Sequence, residues 1–196
     1  MARRRRLPRA FYRRDPRAVA PELLGRLVVH GDRVGRIVEV EAYAGADDPG
    51  SHAHRGPTPR TEVMFGPPGR LYVYFSYGMH WCANVVCHEP GVAGAVLLRA
   101  VAPVSGVEAM RAARPRARRD RDLTSGPARL TQALGIDGSF GGADLVTADR
   151  GVHLADDGVG PEVAPVASTR IGLSRGEDLP WRWYVPGDPH VSGRPR

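Results

Sequence analysis

The sequence predicts one domain of the mixed α and β class (α+β), on the grounds of its length and its patterning. The chain has 196 residues, of which 42% are hydrophobic, so it is long enough to bury a single hydrophobic core. The sequence contains both segments with the two-residue period of strands and segments that carry helix start and stop signals. No internal repeat and no linker divides the sequence.

The N-terminal part begins with an arginine-rich segment. Residues 1–17 contain eight arginines and predict a basic arm, mobile or following DNA, ahead of a domain over residues 18–196. A solvated tail that only improves solubility is an equally good interpretation of this arm. Residues 16–30 then predict a short helix that ends at Gly25 and a strand at 26–30.

The same signals predict the remaining elements. Residues 44–69 are rich in Gly, Pro, Asp and His without a steady period, which indicates a long functional loop. Predicted strands lie at 36–43, 71–76, the run through Val86, 94–104 and, as edge strands, in "TRIGLSRG" and "WRWYVPGDPHVSG". Predicted helices start at a Ser105 cap, with Pro115 interrupting, and at a Ser125 cap with Pro127 in the first turn of 123–137.

The charge of the chain indicates a polyanionic partner. The net charge is +7 and the isoelectric point about 10.2, for which nucleic acid is the first candidate. All 28 basic residues are arginines, a bias that a genome rich in G and C would also produce. Without lysine, no lysine side chain is available to form a Schiff base.

The cysteine count and the hydrophobic runs predict the cellular location. The two cysteines, Cys82 and Cys87, suit a reducing compartment. No apolar run approaches the roughly 20 residues that span a bilayer, and the N-terminus lacks the apolar core of a secretory signal. We therefore expect no membrane association and a cytoplasmic protein.

Two glutamates in the strand 36–43 are candidate catalytic residues. The strand period places Glu39, Glu41 and Tyr43 on the same face as Ile37. Because two carboxylates in a core would need partners, the parity alone favours an exposed sheet face. The alternative is a general base in a cleft, kept ionised by Arg99 from another strand.

The segment "LYVYFSYG" carries phenols on one strand face. Leu71, Val73 and Phe75 alternate with Tyr72, Tyr74 and Ser76, and Tyr77 follows directly before Gly78. Such phenols most commonly bridge a core and solvent. In a basic chain they also suit stacking against a nucleobase, and Tyr77 at a turn suits a wedge between base pairs.

Metal and cofactor motifs are weak or missing in the sequence. "HAH" at 52–54 and "HWC…CH" at 80–88 offer His and Cys, but the single loose cysteine pair is not the paired pattern of structural zinc. The zinc deaminase pattern, the P-loop, G-x-S-x-G and G-x-G-x-x-G do not occur. We expect buried thiols, loop histidines, no metal and no cofactor.

Several motifs in order resemble one enzyme family. "RIVEVEAYAG", "DDPGSHAHRGPTPRTEVMFGPPGRLYVYFSYGMHWCANVV", "AVLLRAVAP", "LTSGPARLTQALGID" and "TRIGLS" resemble the alkyladenine (3-methyladenine) DNA glycosylase family over residues 18 to 192. The resemblance implies a curved, largely antiparallel sheet flanked by helices, without a helix-hairpin-helix. It implies a monomeric, monofunctional enzyme that flips alkylated or deaminated purines out of duplex DNA and hydrolyses the N-glycosidic bond, leaving an abasic site.

The resemblance also implies roles for residues near the base. Glu41 matches the general base that positions the attacking water, and Arg99 and the carbonyl of Ile171 match further ligands of that water. Tyr43 matches the ring beneath the flipped base, and His52 and Tyr74 match the groups on its other face. One further position, Asn84, matches the amide that screens purines.

The remaining implied roles concern the DNA backbone. Tyr77 matches the side chain inserted into the vacated stack. The implied contacts with the DNA backbone are Arg60, Met79, Ser125, Gly126 and Arg129. Arg129 stands where many relatives have lysine, and His80 and Trp81 stand where relatives vary.

Two rival interpretations are a non-catalytic nucleic-acid-binding module and a metal-dependent nucleobase enzyme using His52, His54 or Cys82.

Overall fold

One antiparallel sheet dominates the computed structural model, which describes residues 4–76 and 78–193. The strands of these residues are β1 (Arg5–Arg6), β2 (Leu27–His30), β3 (Arg33–Tyr43), β4 (Leu71–Ser76), β5 (His80–Val86), β6 (Ala95–Ser105), β7 (Val152–Asp156), β8 (Val166–Ser168) and β9 (Arg182–Tyr184). Seven of these nine strands follow the order β1-β7-β2-β3-β6-β5-β4, and β9 pairs with both β3 and β8. The curled sheet confirms the predicted fold class.

Short helices cover the sheet. They are α1 (Arg9–Tyr12), α2 (Pro16–Leu23), α3 (Val107–Ala113), α4 (Arg121–Thr124) and α5 (Pro127–Leu134), with 3₁₀ turns at Gly45–Asp47, Glu62–Phe65 and Gly138–Phe140. Helix α2 packs on β3, and α5 packs on β5 and β6. The main core lies between these layers and includes Leu23, Ile37, Leu98, Leu130 and Leu134. Among the described residues, no helix is long and apolar enough to cross a membrane.

The described part of the arginine-rich N-terminal segment packs onto this sheet. Strand β1 pairs with β7, and the N–H of Leu7 donates to the carbonyl of Leu154 at 3.0 Å. The side chains of Leu7 and Tyr12 belong to the main core, and Tyr12 is fully buried. Residues 5–17 therefore contribute to the domain, whatever their contribution to DNA binding.

Strand β3 does not keep the strict parity that the sequence predicts. Its pairing with β6 shifts between Ile37 and Glu39, and again between Glu39 and Val40. The first shift leaves Val38 without a partner on β6, and the second leaves Arg99 without one on β3. Because the extra residue at Val38 reverses the alternation of β3, Ile37 packs in the main core with Val40 rather than sharing a face with the two glutamates.

The two predicted serine caps are wrong. Helix α3 starts after Gly106 in the left-handed conformation (φ 70°), and Ser105 ends β6 with its hydroxyl donating to the carbonyl of Asp32. The predicted helix 123–137 is divided into α4 and α5 by Gly126, whose φ of 135° is accessible to glycine. Pro127 disfavours helical geometry in the residue before it, so the chain breaks there.

The C-terminal strands also differ from the prediction. The segment "TRIGLSRG" forms no strand, and Arg170 within it makes a buried ion pair with Asp48 at 2.6 Å. Strand β9 is paired on both sides, by β3 and β8, and is therefore not an edge strand. It runs beside the part of β3 that holds the glutamates, with Glu41 opposite Arg182.

An ion pair between Arg36 and Asp157 gives a test of how the start of β3 is fixed. Both guanidinium Nη atoms contact the carboxylate, at 3.1 and 2.8 Å, and Arg36 also donates to the carbonyls of Gly25 and Val159. The hydrogen bond from Arg36 lowers the pKa of Asp157 to about 2. A lowered carboxyl pKa stabilises the fold above the unfolded pKa, and this stability is lost as pH falls towards 2.

We expect Asp157→Asn to lower the free energy of unfolding by about 1–2 kcal/mol at pH 7, after allowance for partial solvent screening. The difference from wild type should narrow in urea unfolding as the pH falls below about 4. Asp178→Asn, at an exposed position, is the control and should leave the unfolding free energy unchanged. A deficit that stays constant with pH would contradict the assignment.

Candidate active site

A buried carboxylate lies at the centre of the sheet. Glu41 is fully buried and accepts three hydrogen bonds or charge contacts. The N–H of Ile171 donates to Oε1 at 2.8 Å, Arg99 Nη1 lies 3.2 Å from the same oxygen, and the hydroxyl of Tyr43 donates to Oε2 at 2.9 Å. These donors give the buried carboxyl group the partners that it needs. The exposed face that parity favoured is therefore wrong.

Arg99 connects Glu41 to the second glutamate. At the bulge on β6, its Nε donates to Glu39 at 3.1 Å while Nη1 faces Glu41, and Nη2 donates to the hydroxyl of Ser192 at 3.1 Å. Burial alone would lower the pKa of Arg99, but the charges of Glu41 and Glu39 outweigh it and raise this pKa. Arg99 is thus a fixed cation between two carboxylates.

Glu39 has further partners that sequence reasoning missed. It accepts hydrogen bonds from Nε of Arg182 and from the N–H of Ser192, both at 2.6 Å. Arg182 Nη2 also donates to the carbonyl of Ser192 at 3.2 Å. The sequence signal was indirect: a buried Glu39 would need cationic partners, but no local spacing connects it to residues about 150 positions later.

A narrow aromatic cavity lies beside this centre. Its volume is about 60 Å³, and its lining includes the four residues to which the resemblance assigned contact with the base, which are Tyr43, His52, Tyr74 and Asn84. The other lining residues are Gly50, Ser51, Met64, Tyr72, Ala95 and Leu173. Nδ2 of Asn84 donates to the carbonyl of Tyr72 at 3.1 Å, and His52 Nδ1 is 3.0 Å from the Tyr72 hydroxyl. These bonds fix the wall of the cavity.

Tyr43 joins the cavity to the carboxylate. Its hydroxyl donates to Glu41, and the Arg170 guanidinium, which is ion-paired with Asp48, lies 4.8 Å from its ring centroid. Burial, and then the charge of Glu41, raise the pKa of Tyr43, so the phenol stays protonated and can donate. After Tyr43, at the end of β3, the backbone turns at Gly45 (φ 59°), where a Cβ would collide with the carbonyl of Ala93.

The ionisable groups of the cavity wall are held neutral. Burial, followed by the charge of Arg60, lowers the pKa of His52. Burial raises the pKa of Tyr72 and of Tyr74. At neutral pH the wall therefore presents an uncharged imidazole and protonated phenols, with the Arg60 guanidinium 5.2 Å from the ring centroid of Tyr74.

The residues predicted to contact the DNA backbone lie outside the cavity. Ser125, Gly126 and Arg129 line a second, larger cleft of about 630 Å³, whose lining also includes Ser192 and Gly193. Met79 is 69% exposed near the turn of the β4–β5 hairpin, and Arg60 is exposed. The predicted wedge, Tyr77, lies outside the described residues. His52, His54 and Cys82 form no cluster of three possible metal ligands, nor do other described residues.

A buried glutamate beside an aromatic cavity, in a strongly basic chain, is typical of an enzyme that acts on a nucleobase. The comparison with protein families gives the class: the model of the methylpurine-DNA glycosylase (MPG) family matches residues 10–189. The chain belongs to this family. This confirms the resemblance noted in the sequence and indicates a DNA glycosylase with DNA as its substrate.

Similar proteins from diverse bacteria have the same name, "Putative 3-methyladenine DNA glycosylase". The protein from Burkholderia lata is 57% identical over 188 residues, covering 95% of this chain and 91% of the relative. Those from Frankia casuarinae and Chlorobaculum tepidum are each 47% identical over 193 residues, covering 93% and 96% of this chain and 90% and 91% of the relatives.

The network around Glu39 should be a major source of stability. We expect Glu39→Gln to lower the free energy of unfolding by about 3–5 kcal/mol, because Arg99 and Arg182 then share one buried carboxylate. Ser192→Ala removes one hydroxyl bond to Arg99 and should cost about 1–3 kcal/mol. Urea unfolding of both variants measures these losses, and the loss should be larger for Glu39→Gln than for Ser192→Ala. The control is Glu62→Gln, at an exposed position. Equal stabilities for Glu39→Gln and Glu62→Gln would contradict this expectation.

Proposed function

We propose that this chain removes alkylated purines, of the 3-methyladenine class, from duplex DNA by hydrolysing the N-glycosidic bond and leaving an abasic site. One observation carries the proposal: the Tyr43 hydroxyl links the buried Glu41 to the aromatic cavity, so a base in that cavity would bring its sugar towards the carboxylate. Membership of the methylpurine-DNA glycosylase family supports it.

The damaged nucleotide must leave the duplex to reach such a cavity. Rotating it out costs a few kcal/mol. Stacking against aromatic side chains offsets about 1–3 kcal/mol per base, and we assign this role to Tyr43, His52 and Tyr74. Tyr77 would fill the gap left in the duplex, as a wedge between the neighbouring base pairs. Asn84 would screen purines at the wall of the cavity.

The chemistry needs a water molecule and a base. A purine methylated at a ring nitrogen carries positive charge, which electron-rich rings attract and which makes the base a good leaving group. Glu41 accepts a proton from the water while the water oxygen forms a bond to the anomeric carbon of the sugar. The bond between this carbon and the purine breaks, and its electron pair leaves with the base. Arg99 and the carbonyl of Ile171 are the further water ligands in this proposal.

The reaction product and the assembly state complete the proposal. Since the chain has no lysine, we infer hydrolysis without strand cleavage by a Schiff base. The resemblance to the family implies a monomer, and we include this in the proposal. Deaminated purines such as hypoxanthine are neutral and would need an acid, so alkylated, cationic purines are the favoured substrates.

Substitution of the proposed base tests the function directly. We expect Glu41→Gln to slow release of free base from a duplex with a single alkylated purine by about 100-fold or more. Its affinity for the same duplex should stay within a few-fold of wild type, because the carboxylate does not contribute to phosphate binding. Glu62→Gln should match wild type in both measurements. If wild type and Glu41→Gln release no base from any of several alkylated duplexes, the chain is a binding module instead.

The absence of a Schiff base has its own test. Enzyme and lesion duplex are incubated with borohydride, which would trap an imine between protein and sugar as a stable adduct. We expect no adduct on a denaturing gel, and we expect strand breaks only after treatment of the product with heat and alkali. A covalent adduct, formed for example through the N-terminal amine, would contradict monofunctional hydrolysis.

A further inference from the structure

The connection between α3 and α4 is the most arginine-rich exposed segment near the site. Residues 111–121 contain six arginines, and the part from 114 to 120 is irregular. Three of the six have partners: Arg111 pairs with Asp120, Arg119 with Asp122, and Arg114 donates to Gln132 at 2.6 Å. The remaining three are exposed and make no ion pair or side-chain hydrogen bond with other described residues; they are Arg116, Arg118 and Arg121.

This segment is held in a defined position. Arg114 also donates to the carbonyl of Asp122 at 3.2 Å, and the amide of Gln132 on α5 donates to the carbonyl of Ala113 at 3.1 Å. The side chain of Ala117 packs against the main core. The three exposed arginines therefore project from a fixed base, which reduces the entropy lost when they bind a ligand.

The segment is continuous with the active site. Arg119 and Arg121 line the 630 Å³ cleft together with Arg129, and Asp122, the one acidic lining residue, is already paired with Arg119. Ser192, which receives a hydrogen bond from Arg99, also lines this cleft. A polyanion lying along the cleft would thus extend from the catalytic centre towards the segment.

We propose that Arg116, Arg118 and Arg121, here called the arginine loop, bind the phosphate backbone of undamaged duplex on one side of the damaged base. The proposal rests on the proposed function, since it identifies where that DNA continues beyond the site. Guanidinium groups bind phosphate oxygens with two parallel hydrogen bonds, and they release the counterions that phosphates hold. The loop would give affinity and orientation without reading sequence.

Two other interpretations are weaker. A solvated basic face needs no fixed base and no continuity with the active site, and this segment has both. An acidic protein partner would also bind arginines, but the 630 Å³ cleft connects this segment to the active site of the proposed DNA glycosylase. DNA bound at that site is therefore the favoured ligand of the segment. The arm at residues 1–17 is the competing DNA contact; its described strand, β1, lies at the opposite end of the sheet order from the β4–β5 hairpin.

The test compares two variants that lose the same charge. One carries Arg116→Gln, Arg118→Gln and Arg121→Gln in the arginine loop. The control carries Arg4→Gln, Arg5→Gln and Arg13→Gln in the N-terminal segment, all at exposed positions. For each protein, the dissociation constant for a long undamaged duplex is measured over a salt series. Base release from an alkylated duplex is measured in single turnover at saturating enzyme.

The loop variant should reduce the slope of log affinity against log salt by about 2.7, at about 0.9 for each lost phosphate contact. The control should keep the wild-type slope, and both variants should release base at the wild-type rate when saturated. A loop-variant slope equal to that of wild type or of the control would overturn the proposal. Failure of the proposed function would instead appear as no base release by wild type.

A second measurement tests the one-sided placement. The damaged purine is placed near one end of the duplex, so that the undamaged DNA extends in either of two directions. The loop variant should bind more weakly than wild type in one direction only. Equal weakening in both directions, or none in either, would overturn the placement of the loop beside the undamaged duplex.

Discussion

The structure depends on one constraint: two glutamates are buried in the middle of a sheet, and a single arginine connects them. An isolated carboxylate loses several kcal/mol of hydration when it is buried. Arg99 and Arg182 balance the charges of Glu39 and Glu41, so the four side chains together are neutral. A regular ladder would pair Arg99 with a residue on β3, and the bulge instead leaves it free to face both carboxylates. The irregularity of β3 and β6 is therefore part of the site.

The two glutamates have different surroundings, and this gives them different tasks. Glu39 receives two guanidinium groups and a backbone N–H, which leaves it no opening towards a ligand. Glu41 Oε2 has only the Tyr43 hydroxyl as a partner among the described residues, which leaves a lone pair for a further donor such as water. Because Arg99 is also held by Glu39 and Ser192, its position does not depend on substrate. The charges around the proposed water are thus arranged before DNA binds, which is the condition for effective electrostatic stabilisation.

Local signals predicted the regular elements well and the bulges not at all. The helix that ends before Gly25, the strand 71–76 and the strand near 94–104 are present, because capping, turn residues and alternation act over a few positions. Alternation across β3 failed at Val38, where one extra residue reverses it. The resemblance identified Glu41, Arg99 and Tyr43, which the structure brings together. It could not provide Arg182 or Ser192, since their contacts with Glu39 arise from long-range pairing of β9 with β3.

In the proposed function, the distribution of charge would separate the recognition of a base from the recognition of the DNA backbone. A cationic purine would be repelled by a protonated histidine in the cavity, and the lowered pKa of His52 prevents this at neutral pH. The raised pKa values of Tyr72 and Tyr74 keep their rings as neutral hydrogen-bonding aromatics. The carboxylate next to the cavity is that of Glu41, whereas Arg119, Arg121 and Arg129 line the outer cleft. An arginine inside the cavity would repel a cationic base. Arginines outside the cavity would instead attract the phosphates of the DNA backbone, and this attraction is strong and independent of sequence. They would therefore strengthen DNA binding without affecting which base is accepted.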